Sequence, residues 1–163
     1  MQTTNETINE LHFIKSACEL ATLSVIKGTG PFGCIITDLE YNELASGHNK
    51  VTESNDPTAH AEIVAIREAC SKLGTFNLSN CRLFTSCEPC PMCLSAIYWS
   101  RIENIVYANT RTDAKNIGFD DEFIYDELKK DIEERKIQLR QIIPEVAAES
   151  FNLCKEKDNK IEY

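Results

Sequence analysis

The chain has 163 residues, enough for one domain with a closed apolar core and too few for two ordinary ones, so a single domain spanning residues 1–163 is expected. Lys and Arg number 17 against 26 Asp and Glu, giving a formal net charge of -9 and a pI near 4.9; no nucleic-acid partner is expected, and a small-molecule substrate fits better. No run approaches the ~18 apolar residues of a membrane span and the N-terminus lacks a signal-peptide pattern, so a soluble, cytoplasmic chain with no membrane partner is expected.

In chain order, residues 7–27 carry Leu11, Ile14, Cys18, Ala21 and Val25 at steps of three and four, the mark of a helix with one buried face. Gly28-Thr29-Gly30-Pro31 ends it. Phe32 to Ile36 is a short apolar run suited to a buried strand, Asp38 to Asn42 a turn, and Glu43 to Val51 the return strand of a hairpin. Thr52 to Thr58 reads as loop, with Asp56 as helix cap and Pro57 at the first helical position. A second helix follows, burying Ile63, Ile66, Cys70 and Leu73, and then a third strand over Cys81 to Ser86.

That strand delivers the chain into Ser86-Cys87-Glu88-Pro89-Cys90-Pro91-Met92-Cys93, where the two prolines fix the start of a third helix. Ile105 to Ala108 reads as a fourth strand, Asp113 to Gly118 as a loop and Asp120 to Lys130 as a polar helix. Lys136 to Ile143 alternates and reads as a fifth, edge strand; Pro144 opens a last helix that ends in a charged tail. The order argues for an α/β fold, a three-layer αβα sandwich with helices on both faces of a mixed five-stranded sheet. Of the eight cysteines, Cys87, Cys90 and Cys93 cluster, whereas Cys18, Cys34, Cys70, Cys81 and Cys154 sit in apolar runs as small core residues do, so free thiols in a reducing compartment are expected.

Cys90 and Cys93, three apart at a helix start, share a face and converge on one ion. The helix dipole there favours thiolate over thiol. His60 and Glu62 are two apart and point in nearly opposite directions within a regular helix, so they serve one site only from a first turn viewed end-on. Where both helices follow parallel strands, their N-termini meet at the sheet edge that holds ligands in open α/β folds. His60, Cys90 and Cys93 then make three metal ligands with one position left for water, the catalytic arrangement of zinc. Glu62 is placed to take a proton from that water and pass it to the substrate. The alternative is a structural zinc with Cys87 as fourth ligand, in a non-enzymatic module whose acidic surface binds a protein partner. Lone His12 and His48 read as surface or hydrogen-bonded side chains, and Trp99 as a pocket wall, a dimer contact or core.

His60-Ala61-Glu62 with Pro89-Cys90-Pro91-Met92-Cys93 matches the H-x-E…P-C-x-x-C signature of zinc nucleobase and nucleoside deaminases. Ser54 to Glu62, Thr85 to Trp99 and Gly118-Phe119-Asp120-Asp121 together resemble the small bacterial guanine deaminases of the cytidine-deaminase fold. The Cys-Glu-Pro-Cys-Pro-Met-Cys run is shared with adenosine deaminases acting on transfer RNA, so Gly-Phe-Asp-Asp and the terminal Ile161-Glu162-Tyr163 carry the distinction. The resemblance implies one zinc per subunit and hydrolysis of guanine to xanthine and ammonia. It also implies a homodimer whose C-terminal tail, residues 158–163, covers the partner's active site. Residue by residue, it implies that Asn49 binds the purine edge, that Phe32 packs on the base, that Asp121 is a second proton shuttle and that Tyr163 belongs to the lid. From the residues alone, Asn49 is a strand-end residue, Asp121 a helix-start acid, Phe32 core and Tyr163 a frayed terminus. Guanosine, cytosine and transfer-RNA adenosine stand as alternative substrates of the same chemistry.

Overall fold

The structure, a computed structural model, describes residues 4–162. Residues up to Glu122 form one compact unit and residues from Phe123 a second. In the first, helix α1 (Thr4–Ile26) leads into a hairpin of β1 (Gly33–Asp38) and β2 (Glu43–His48). A single helical turn, α2 (Val51–Ser54), precedes α3 (Ala61–Leu73). Strand β3 (Cys81–Cys87), α4 (Pro91–Trp99), β4 (Asn104–Asn109) and α5 (Arg111–Asn116) follow.

The four strands lie in the order β2-β1-β3-β4, with β1 antiparallel to both neighbours and β3 parallel to β4. Consequently β2, β3 and β4 run the same way, and the helices after them begin at one edge of the sheet. Alternation along the strands divides the core. Cys34, Ile36, Ala45 and Leu83 face α3 and α4, whereas Ile35 and Phe84 face α1, where Phe13 packs on Phe84 at 5.2 Å between ring centroids. Both layers sit close to the sheet because glycine stands at the contacts. A Cβ on Gly33 would lie 2.3 Å from the Ala17 carbonyl oxygen of α1, and one on Gly47 the same distance from the Ala61 carbonyl oxygen of α3.

The expected sandwich is therefore present, with a correction to its sheet: among the described residues it has four strands, not five. Residues 136–143 take no strand conformation, and Ile137, Leu139, Ile142 and Ile143 are exposed. Alternation says which side chains share a face; a strand also needs a neighbour to take up its backbone groups. The expected stripe on α1 is corrected too. Its buried residues are Phe13, Ala17, Ala21 and Ser24, while Leu11 and Val25 are exposed, because the closest approach to the sheet selects small side chains over large apolar ones. The return strand stops at His48 rather than Val51.

Pro57 does not open α3, nor does Asp56 cap it. Asp56 Oδ1 instead accepts from the Thr58 N–H and hydroxyl, and the helix waits until Ala61. The stretch expected as a loop over Asp113 to Gly118 is mostly α5, since Thr110 and Asp113 form a reciprocal capping box. Cys154 is exposed rather than core. Within the second unit, α6 (Glu122–Lys129) begins at the boundary and α7 (Glu149–Lys155) follows two short 3-10 turns, so the last helix starts at Glu149 rather than at Pro144. Tyr163 lies outside the described residues. Among the described residues, no helix is long and apolar enough to cross a membrane.

Candidate active site and metal centre

His60 is the N-cap of α3, with extended backbone, and Glu62 follows in its first turn. Cys90 is likewise the N-cap of α4, with Pro91 at the first helical position and Cys93 two residues further. The two helix starts meet beyond the ends of β2 and β3. His60 Nδ1 lies 3.5 Å from Cys90 Sγ and 3.5 Å from Cys93 Sγ, and the three donor atoms fall within 4.8 Å of one another. Zn–N and Zn–S bonds of ordinary length at a tetrahedral angle put nitrogen and sulfur about 3.6 Å apart, so this donor set fits zinc. Cys87 stays outside it: the thiol is buried, points at the Thr110 carbonyl oxygen at 3.5 Å and is pushed up to about 11 by burial. A closed centre with Cys87 as fourth ligand does not match this arrangement.

The sulfurs are electrostatically unequal. A hydrogen bond from the Cys93 thiol, with another from His60, holds Cys90 down to about 4, a thiolate at neutral pH. Donating that bond pushes Cys93 up, and burial adds to the effect. The Cys90 hydrogen bond raises the His60 imidazole. Glu62 is buried, and desolvation raises its carboxyl above the usual carboxylate range. Its Oε2 is 3.4 Å from Cys93 Sγ, and its Oε1 accepts from the Thr85 hydroxyl at 3.2 Å.

Above these groups opens a cavity of about 580 Å³, lined by His60, Glu62 and Cys90 and walled by Phe32, Asn49, Phe119 and Asp121 among others. Phe32 meets Phe119 edge to face at 5.1 Å. Asn49 is buried, and its Oδ1 accepts from the Val51 N–H at 3.1 Å, which leaves the amide nitrogen as the end available to a ligand. Gly30 makes room for both walls, since a Cβ there would come within 3.2 Å of Asn49 Cγ and 3.3 Å of Phe32 Cδ2. The adjacent aspartates divide. Asp120 pairs with Lys115 at 3.5 Å and accepts the Glu122 N–H at 3.0 Å, whereas Asp121 is partly buried and raised by desolvation and by the nearby Cys90 charge.

The structure thus brings together His60, Cys90, Cys93, Glu62, Asn49, Phe32 and Asp121. Trp99 does not line the cavity; it and Tyr98 are exposed on α4. Two residues at the site were not singled out for a role by the sequence. Phe119 stands in a recognised motif but had no part of its own. Thr85 could have been noticed as a polar residue at the inward position of a buried strand, two along from core Leu83.

Residues 8–109 match the cytidine and deoxycytidylate deaminase zinc-binding region. The chain is 48% identical over 157 residues to the guanine deaminase of Bacillus subtilis (strain 168), covering 96% of this chain and 100% of the relative. It is 43% identical over 97 residues to the tRNA-specific adenosine deaminase of Aquifex aeolicus, covering 60% of this chain and 64% of that one. The X-ray structure of guanine deaminase from Bacillus subtilis superposes with a TM-score of 0.88 at 49% identity, covering 93% of this chain and 97% of that chain.

Proposed function

The chain belongs to the cytidine and deoxycytidylate deaminase family, and on that premise we propose that it is a zinc-dependent guanine deaminase, hydrolysing guanine to xanthine and ammonia. The chemistry is carried by one observation: a buried carboxylate, Glu62, stands beside a set of three ligands among the described residues, not four. The choice of guanine is supported by a likeness to guanine deaminase that spans 96% of the chain at 48% identity, against 33% identity over 81% of it for the tRNA-specific adenosine deaminase of Buchnera aphidicola.

His60, Cys90 and Cys93 hold the ion. When bound, it supplies acidified water, with a pKa lowered from about 15.7 to about 7, as the nucleophile of hydrolysis. Glu62 takes the proton from the attacking water and delivers it to the ring nitrogen beside the carbon that bears the exocyclic amine. Desolvation suits it to that exchange, since a carboxylate of raised pKa is a better base at neutral pH. Asp121 shuttles the second proton of the water to the departing amine, which leaves as ammonia, so that the carboxyl ends each turnover as it began; its own raised carboxyl supports that role. Asn49 donates from its amide nitrogen to the edge of the purine, and Phe32, with Phe119, packs on the flat base and excludes water.

The active form is a homodimer whose C-terminal tail, including Tyr163, closes on the partner's site. What supports association is the exposed aromatic surface of Tyr98 and Trp99 on α4 and Tyr107 on β4. A cytoplasmic location is supported by eight free cysteines, which suit a reducing compartment.

Ammonia release by the zinc-loaded protein tests the reading, with guanine compared against guanosine, cytosine and adenine. Turnover of guanine alone is expected. Turnover of guanosine instead keeps the zinc chemistry and overturns the closing tail, because ribose needs the space the tail takes. No release from any of the four, with zinc bound, overturns the enzyme assignment for these substrates.

A further inference from the structure

Alternation along β3 sends Leu83, Thr85 and Cys87 to the face packed by α3 and α4. Leu83 is plain core, but Thr85 puts a hydroxyl in the same buried row, 1% exposed, and a buried hydroxyl requires a partner. Two acceptors are within reach, Glu62 Oε1 at 3.2 Å and the Gly33 carbonyl oxygen at 3.5 Å. A hydroxyl has one proton to give, and the carboxylate is both nearer and the stronger acceptor. The donor itself is fixed, because Thr85 is paired on both sides, to Cys34 of β1 and Tyr107 of β4.

From this geometry we propose that Thr85 is a positioning residue for the deamination, holding Glu62 by Oε1 so that Oε2 alone faces the reacting water; the inference rests on the proposed function. Glu62 has two side-chain hydrogen-bond partners among the described residues, Thr85 and Cys93. Cysteine ligands bind zinc as thiolates, so with the metal in place Cys93 no longer has a proton to donate. The Thr85 hydroxyl then remains as the side-chain donor that fixes the carboxylate. It engages one oxygen from the strand side and leaves the other, on the side of the metal ligands, to exchange the proton. Without it, a buried carboxylate beside a thiolate is free to rotate away from its neighbour's charge, and the distance over which the proton moves is no longer set.

The test uses the full-length zinc-loaded protein. Thr85→Val keeps the shape and removes the donor; kcat for guanine is expected to fall about ten- to a hundredfold, with KM changed less than about twofold. Zinc content stays at one per chain, and Thr85→Ser, which restores the hydroxyl, recovers most of the rate. An unchanged kcat in Thr85→Val, or a loss that Thr85→Ser shares, overturns the proposal. Crystal structures of the zinc-loaded wild type and of Thr85→Val read the same point without substrate: the Thr85–Glu62 hydrogen bond is expected in the first and a rotated carboxylate in the second. A wild type whose hydroxyl bonds Gly33 instead, or a carboxylate unmoved in the variant, also overturns it. A wild type that leaves guanine intact sinks the substrate assignment alone, because the position of the carboxylate still decides the role of Thr85.

Discussion

Glu62 occupies the first turn of α3 while being almost wholly removed from water, a costly place for a charge unless the reaction uses it. Exchanging it for glutamine keeps the size and the Thr85 hydrogen bond but removes the basic oxygen. Glu62→Gln is therefore expected to bind zinc as fully as the wild type, by metal analysis, while kcat falls about a hundred- to ten-thousandfold. A loss of zinc in step with activity would mean that Glu62 helps to hold the metal rather than moving the proton. Asn49 shows how a side chain of ordinary loop type acquires a directed end. The Val51 N–H takes its oxygen, and Gly30 leaves space for its nitrogen. The sequence shows an asparagine after a strand; only the helical turn at Val51–Ser54, which the sequence reading put partly in a strand and partly in a loop, decides which way the amide faces.

At the scale of elements, the site depends on how closely the helices approach the sheet. Gly33 and Gly47 meet opposite layers with equal tightness, each leaving a hypothetical Cβ 2.3 Å from a helix carbonyl oxygen. Backbone cannot yield as a side chain does, so Gly33→Ala and Gly47→Ala are both expected to lose about 1–3 kcal/mol in denaturant unfolding. Their effects on function differ. Gly47 contacts α3, which begins at His60 and carries Glu62, so Gly47→Ala is expected to weaken zinc retention as well; Gly33 contacts α1, which contributes nothing to the cavity wall. Equal zinc loss in the two variants would detach the metal site from the seating of α3.

The capping box of α5 gives a pH dependence. Hydrogen bonds from the Thr110 hydroxyl and N–H hold the Asp113 carboxyl below its usual value. A depressed carboxyl contributes stability that is fully present above its unfolded pKa, near 3.9, and is lost as pH falls through the lower folded value. Asp113→Asn, whose amide oxygen accepts more weakly and does not titrate, is thus expected to be less stable than wild type at about pH 6, with the gap closing toward about pH 3 in parallel denaturant melts. A gap independent of pH would assign the cap to shape alone. This helix also marks where sequence legibility ended. The metal ligands were legible because His-x-Glu and Pro-Cys-x-x-Cys fix chemistry and helix starts together, and the runs around Ile35 and Leu83 because burial of a strand needs them apolar. The box at Thr110 makes helix of residues that read as loop because they carry no apolar periodicity, and 136–143 has the pattern of a strand without a partner to make it one.

Over the whole molecule the charge is strongly negative, -9 at neutral pH, yet the groups at the cavity floor include a histidine and thiols whose charge a bound divalent ion offsets. A field of that sign repels polyanions and neither attracts nor repels a neutral base. This distinguishes a free purine from a transfer RNA, the substrate named for a relative that shares the zinc region. A neutral substrate has no counterions to release and no steering to lose, so kcat/KM for guanine is expected to change less than about twofold between about 50 mM and 200 mM salt. A protein that neutralises several phosphates loses orders of magnitude in affinity over that range. Steady-state kinetics at the two salt concentrations therefore test the substrate class without reference to the fold. A steep fall with salt would require a charged partner held by residues outside the cavity, and would turn the acidic surface from an explanation into a contradiction.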